Sequence, residues 1–193
     1  MRLFVGIFLP EDIRSRLEGL SGGLSGARWV KPENLHLSLR FIGDVPGGDE
    51  HDIDQALQTV DASPFELTFS GLGCFDRRGR VHAVWAGIDK SDALMRLQGK
   101  VAAALVRSGI EPEHRKFKPH VTLARMKNGV ADKVSQYLET HNGFTAGPFP
   151  VGDFTLFRSH LGHGGAHYEA LADYPLESGP QESGPQESEG EPQ

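Results

Sequence analysis

A chain of 193 residues with 38% hydrophobic and 24% charged residues is long enough for one well-packed core and reads as an ordinary globular protein. A net charge of −6 argues at first against a nucleic-acid partner, but five acids lie between Glu177 and Glu191 with no Lys or Arg among them; the remainder holds 20 basic against 21 acidic residues, and the exclusion lapses. The single cysteine, Cys74, excludes an internal disulfide and fits a reducing cytoplasmic compartment, while the apolar run Leu3 to Leu9 is too short to cross a bilayer and ends at Pro10-Glu11-Asp12 without a cleavage-site pattern.

In chain order, Arg2 to Leu9 reads as a buried strand, and Ile13, Leu17 and Leu20 give the following segment from Pro10 a helical spacing. A Gly/Ser loop, Ser21 to Gly26, leads to a short extended piece at Trp29-Val30 and a turn at Lys31-Pro32-Glu33. A strand follows over Asn34 to Gly43, then a helix near Glu50 to Val60. Phe65 to Leu72 and Val81 to Ile88 are predicted strands joined by a polar turn over Asp76 to Arg80. Leu94, Leu97, Val101 and Leu105 predict a helix over Ser91 to Ser108, stopped by Gly109. Arg115 to Arg125 carries a further strand, over Lys118 to Arg125, and 130 to 141 form another helix. Phe149 to Arg158 and His167 to Leu176 form a last strand pair around a loop over Ser159 to Ala166. The close spacing of strands favours hairpins, hence an α+β fold with antiparallel sheets. Residues 1–176 form the predicted domain. Residues 177–193, with SGPQE repeated, lack the apolar side chains to offset their ordering entropy and are predicted to be a disordered tail.

Two stretches answer each other. NLHLSLRFIG, Asn34 to Gly43, and KPHVTLAR, Lys118 to Arg125, each present histidine, a hydrophobic residue, a hydroxyl residue and a hydrophobic residue. In an extended chain residues i and i+2 share a side, so His36, Ser38 and Arg40 form one face, with Leu37, Leu39 and Phe41 behind. Likewise His120 and Thr122 share a face. An imidazole and a hydroxyl about 6–7 Å apart on one strand can reach two atoms of a small tetrahedral anion. Strict alternation places Arg125 opposite His120, so its participation requires a twist, a bulge or the strand's end.

Two such pairs suit in-line displacement at phosphorus. One neutral imidazole takes a proton from water while the other, as imidazolium, protonates the departing oxygen; each transfer contributes about 10²–10⁴-fold. Since attacking and leaving oxygens lie on opposite sides of phosphorus, two facing strands are needed. The Ser38 and Thr122 hydroxyls can hold the non-bridging oxygens, with Arg125 and Arg40 as candidates for the remaining charge. The residues alone do not say which histidine has which role. Such a pair predicts a bell-shaped pH profile around neutrality and requires no metal. His160, His163 and His167 have a spacing that suggests metal ligands, but they sit in a Gly-rich stretch matching no established motif. Arg115, Lys116, Lys118, Arg125 and Lys127 make a local basic cluster. Trp85, Phe41 and Tyr168 read as core or edge aromatics, although one of them could stack on a base.

With these motifs in hand, the sequence resembles the 2H phosphoesterase superfamily, and in particular its RNA 2′,3′-cyclic phosphodiesterase branch, historically called 2′-5′ RNA ligases. MRLFVGIFLP, WVKPENLHLSLRFIG, RVHAVWAGI, KFKPHVTLAR and the late strand pair are similar to that family's landmarks, in order, across about residues 1–176. The resemblance implies two β-sheet/helix lobes related by a pseudo-twofold across a central cleft, with no cofactor, and hydrolysis of RNA 2′,3′-cyclic phosphate ends to 2′-phosphomonoesters. It further implies His36 as proton donor to the leaving 3′ oxygen, His120 as acceptor from water, Ser38 and Thr122 as phosphate contacts, and Arg125 near the phosphate. Ser38 departs from the family's usual threonine but keeps the hydroxyl. Three alternatives stay open: 2′-5′ RNA ligation by the reverse reaction, turnover of small cyclic nucleotides or 2′-5′-linked oligonucleotides, and a module that binds RNA ends without turning them over. RNA ends or small cyclic nucleotides are thus the expected substrates; the sequence calls for no membrane or protein partner, and the chain is read as a monomer.

Overall fold

The computed structural model describes residues 1–162 and 165–177. Among them, nine strands and four α-helices are arranged as two antiparallel sheets with helices packed against them. The first sheet has the order β3 (His36–Asp44), β1 (Arg2–Phe8), β8 (Asp153–Gly162), β9 (Gly165–Pro175). The second has the order β2 (Ala27–Trp29), β6 (His120–Gly129), β5 (Arg80–Ile88), β4 (Phe65–Arg77), β7 (Thr145–Val151). The chain passes between the sheets repeatedly, so neither lobe is a contiguous piece of sequence. One motif strand lies in each sheet.

The helices follow their apolar spacing. α1 (Glu11–Glu18) opens after Pro10 with Glu11 and Asp12 in its first turn, where negative charge complements the helix dipole, and buries Ile13 and Leu17. α2 (Asp49–Gln58) buries Ile53 and Leu57. α3 (Asp92–Arg107) is capped by the Ser91 hydroxyl, which accepts from the Leu94 N–H at 3.2 Å, and ends before Gly109, whose φ of 92° lies in the left-handed region. α4 (Ala131–Thr140) lays Val134 and Tyr137 on the back of the second sheet. A main core joins β1, β3 and the inner residues of both sheets to α1, α2 and α3 through Leu37, Leu39, Val121, Leu123, Leu57 and Leu97.

Three expectations change. β4 runs on through Gly71 and Gly73 to Arg77, and the turn shortens to Arg78-Gly79. Gly73 is needed because the Trp85 ring lies flat over it; a Cβ there would stand 2.3 Å from ring atoms. The segment Phe149 to Arg158 is two strands, β7 and β8, in different sheets and divided at Gly152. Finally, β8 and β9 extend to Gly162 and from Gly165, pairing His160 with His167 where a loop was expected. His163 and the segment from Ser178 read as a disordered tail fall outside the described residues.

Candidate active site

Each motif strand carries a β-bulge at the same place. In β3, Val5 pairs with Arg40 and Gly6 with Ser38, leaving Leu39 as the extra residue. In β6, Val84 pairs with Ala124 and Trp85 with Thr122, leaving Leu123 extra. A bulge inverts the alternation beyond it. In consequence two successive residues are buried in each strand, Leu39-Arg40 and Leu123-Ala124, and the fifth residue after each histidine turns to the cleft.

This resolves the two arginines. Arg125 joins His120 and Thr122 in lining the cleft, through the bulge that its participation required. Arg40, expected beside His36 and Ser38, is instead turned into the protein: it is 7% exposed, donates to the carbonyls of Phe41 (2.8 Å) and Glu111, and pairs with Glu113 at 3.5 Å. Its place is taken by Phe41, expected behind the strand but found 59% exposed at the cleft. The cleft lining thus brings together His36, Ser38, Phe41, His120, Thr122 and Arg125. Asn34, Val30 and Tyr168 complete it.

The histidines are held alike. His36 Nδ1 lies 2.7 Å from the Asn34 carbonyl and His120 Nδ1 lies 2.7 Å from the Lys118 carbonyl, two residues upstream in each case. A carbonyl only accepts, so each Nδ1 carries the hydrogen and Nε2 is left as the titrating nitrogen. Each ring also meets an aromatic edge, Tyr168 at 4.8 Å for His36 and Phe75 at 4.9 Å for His120. Beneath His36 lie Phe4 (ring centroids 4.7 Å apart) and Phe157 (6.0 Å).

That aromatic box sets the electrostatics. Burial pushes the His36 pKa down to about 4 against the attraction of the Asn34 carbonyl, with Arg125 and His120 lowering it further. His120 is also lowered, chiefly by burial and then by Lys118 and Arg125. Without a bound anion both imidazoles are therefore neutral at pH 7. Arg28 lies directly opposite Arg125 on the neighbouring strand, and among the described residues neither makes an ion pair. Lys118 sits over the rings of Trp85 (4.5 Å) and Phe75 (5.5 Å).

Asn34, Phe4, Phe157 and Phe75 were not singled out in the sequence as parts of a site. Asn34 donates through Nδ2 to the Ala166 carbonyl at 2.8 Å, tying the first motif to β9. The signal for it was its position, two before the histidine, where Lys118 stands in the second copy. Of the other histidines, His160 bonds Glu169 at 2.7 Å, and among the described residues no group of three or more His, Cys, Asp or Glu is placed to hold a metal. Arg115 and Lys116 precede β6 on an irregular segment and do not line the cleft.

The chain matches the family model for the 2′-5′ RNA ligase superfamily over residues 9–163. An Archaeoglobus fulgidus protein named RNA 2′,3′-cyclic phosphodiesterase is 34% identical, with 89% of this chain and 98% of that protein covered. A Thermotoga maritima protein of the same name is 31% identical over 93% of this chain and 97% of its own length. Among solved structures, a Thermus thermophilus protein superposes with a TM-score of 0.75 at 27% identity, covering 91% of this chain and 98% of that one. Escherichia coli LigT in complex with 3′-AMP superposes with a TM-score of 0.73 at 27% identity, covering 92% and 98%.

Proposed function

The chain belongs to the 2′-5′ RNA ligase superfamily, and from that membership and the paired histidines we propose that it hydrolyses RNA 2′,3′-cyclic phosphate ends to 2′-phosphomonoesters. The observation that carries this reading is the matched presentation of His36 and His120, one from each sheet, with Nδ1 tied back and Nε2 left free. In-line displacement needs a base on one side of phosphorus and an acid on the other.

The half-sites differ in kind at the fifth residue after the histidine, and that difference gives the reaction a direction. Beside His120 the fifth residue is Arg125, suited to phosphate oxygens; beside His36 it is Phe41, an exposed ring suited to a nucleobase. A nucleotide seated this way has its ribose, and so its 3′ oxygen, toward His36. Water then approaches from the His120 side. His120 Nε2 takes a proton as the water oxygen bonds to phosphorus; the bond to O3′ breaks, and O3′ receives the proton from His36 Nε2. Ser38, Thr122 and Arg125 hold the non-bridging oxygens. The 3′-AMP bound by LigT combines the same two chemical parts, a base and a phosphate.

The depressed pKa of His36 is compatible with its role as acid because the substrate is an anion. A negative charge about 4 Å away at an effective dielectric near 20 is worth about 4 kcal/mol, or about 3 pKa units. That offsets the fall to about 4 and lets His36 take up a proton near neutrality when the phosphate arrives.

The test is to incubate the protein, in EDTA, with a short RNA ending in a 2′,3′-cyclic phosphate beside His36→Ala and His120→Ala, and to identify the product end. Conversion to a 2′-phosphate, with each variant slower by about 10²-fold or more, is expected. Turnover indifferent to both substitutions, or no turnover, would remove the cleft from consideration as the reacting site.

A further inference from the structure

We propose that the hairpin between β4 and β5 is a binding site for single-stranded RNA upstream of the cyclic phosphate, with Phe75 and His82 stacking the penultimate base and Arg77, Arg78 and Arg80 holding the phosphates behind it. The inference rests on the reading of the cleft as an RNA-end phosphodiesterase site and adds a requirement for a polynucleotide.

Position supplies the first argument. Phe75 touches His120 at 4.9 Å and is stacked with exposed His82 at 6.3 Å and 22°, so a strand that leaves the terminal ribose on the His36 side crosses the cleft to reach it. Register places Phe75 opposite Ala83, which is opposite Arg125, so Phe75 belongs to the cleft face of the sheet. Arg77 follows two residues later on the same strand and pairs directly with Arg80. The register shift after Phe75 leaves His82 as the extra residue on β5 and does not interrupt β4, so Arg77 and Arg80 continue the cleft face, roughly 7 Å beyond Phe75 at the usual rise per residue.

The second argument is that local physics disfavours these residues where they stand. Arg77 and Arg80 are like charges directly opposite each other, a destabilising cross-strand pair. Between them Arg78 has φ 54° and Gly79 φ 73°, the two left-handed positions of a tight hairpin turn. Asn, Asp or Gly takes the first of these far more readily than Arg. Asp76 is the only acid from Gly73 to His82, and among the described residues none of the three arginines makes an ion pair. All three are exposed. Cations interleaved with stacking rings along one face are the pattern that tracks a single strand, with rings taking bases of any sequence and guanidiniums taking phosphates. A cyclic mononucleotide is too short to use them.

The experiment compares wild type with Arg77→Ala/Arg80→Ala and with Arg78→Gly in two arms. In the first, kcat/KM is measured for adenosine 2′,3′-cyclic phosphate and for an RNA decamer ending in a cyclic phosphate; the decamer-to-mononucleotide ratio is expected to fall about tenfold in the double variant. In the second, Kd for a decamer ending in a 2′-phosphate is followed from 50 to 200 mM salt, and the salt slope is expected to fall by about 1 to 1.5 as two phosphate contacts are lost. Both variants are expected to melt no lower than wild type, since each removes a local repulsion or strain. An unchanged ratio or an unchanged Kd and slope in the folded variants would overturn the inference while leaving the phosphodiesterase reading intact. If wild type turned over neither substrate, the phosphodiesterase reading would fail, and the binding arm would still decide the hairpin's role.

Discussion

The aromatic box around His36 should be readable directly by titration. Burial among Phe4, Phe157 and Tyr168 lowers the His36 pKa to about 4 from an unfolded value of 6.5. At about 1.4 kcal/mol per unit, this corresponds to at most about 3–4 kcal/mol of folding stability. The sign follows from proton counting: between pH 4 and 6.5 the unfolded chain binds the proton that folded His36 refuses, so stability rises with pH through that window and is lost on acidification through it. Urea unfolding at pH 7, 6, 5 and 4 measures the loss, and comparison with His36→Gln isolates this residue's share. NMR titration of the ring nitrogens in the empty protein should put His36 well below 6, while saturating inorganic phosphate should raise it by one unit or more. Tyr168→Ala, which opens one wall of the box, should raise it without ligand. A titration at 6.5 or above in the empty protein would refute the burial argument and, with it, the idea that the substrate charges its own acid.

Because kcat/KM reports the free enzyme, its pH optimum should lie on the acid side of 6.5, below that of kcat, instead of around neutrality as the motifs alone suggest; superimposable profiles would contradict this. Arg40→Met should destabilise by about 2–3 kcal/mol through the unpaired Phe41 and Glu111 carbonyls while sparing activity per folded molecule. Arg125→Met should instead leave the melting temperature within a degree or two and lower kcat/KM by about 10²–10³, so thermal melts beside kinetics separate the two arginines. Gly73→Ala should cost about 1–3 kcal/mol by displacing the Trp85 ring, visible as a shift in tryptophan emission together with lower thermal stability.

The elements legible in the sequence were those whose side chains declare a period. α3 spells its buried face as Leu94, Leu97, Val101 and Leu105, and the structure buries all four. The hydrophobic-hydroxyl alternation of the two motifs gave both strands and placed His36 with Ser38 and His120 with Thr122. Glycine was the misleading signal. The strand was expected to stop at Leu72, just before Gly73, yet Gly73 is there because a ring needs its space. The glycines around His163 read as a loop, yet β8 and β9 pair up to Gly162 and Gly165.

The deeper loss of legibility was the bulge. It is a backbone event at Leu39 and Leu123, residues that alternation would assign to the buried face in any case, so no residue type announces it. One uncounted residue exchanges Arg40 for Phe41 and brings Arg125 round to His120. Because both copies bulge at the third residue after the histidine, the scaffold of the two half-sites stays symmetric while their contents diverge. A symmetric cleft would seat a nucleotide equally well in two orientations and give each histidine both roles. An arginine on one side and a phenylalanine on the other remove that degeneracy, so exchanging them, as Phe41→Arg with Arg125→Phe, should impair productive binding more than either histidine's proton chemistry. Kinetics would show that as a rise in KM exceeding the fall in kcat.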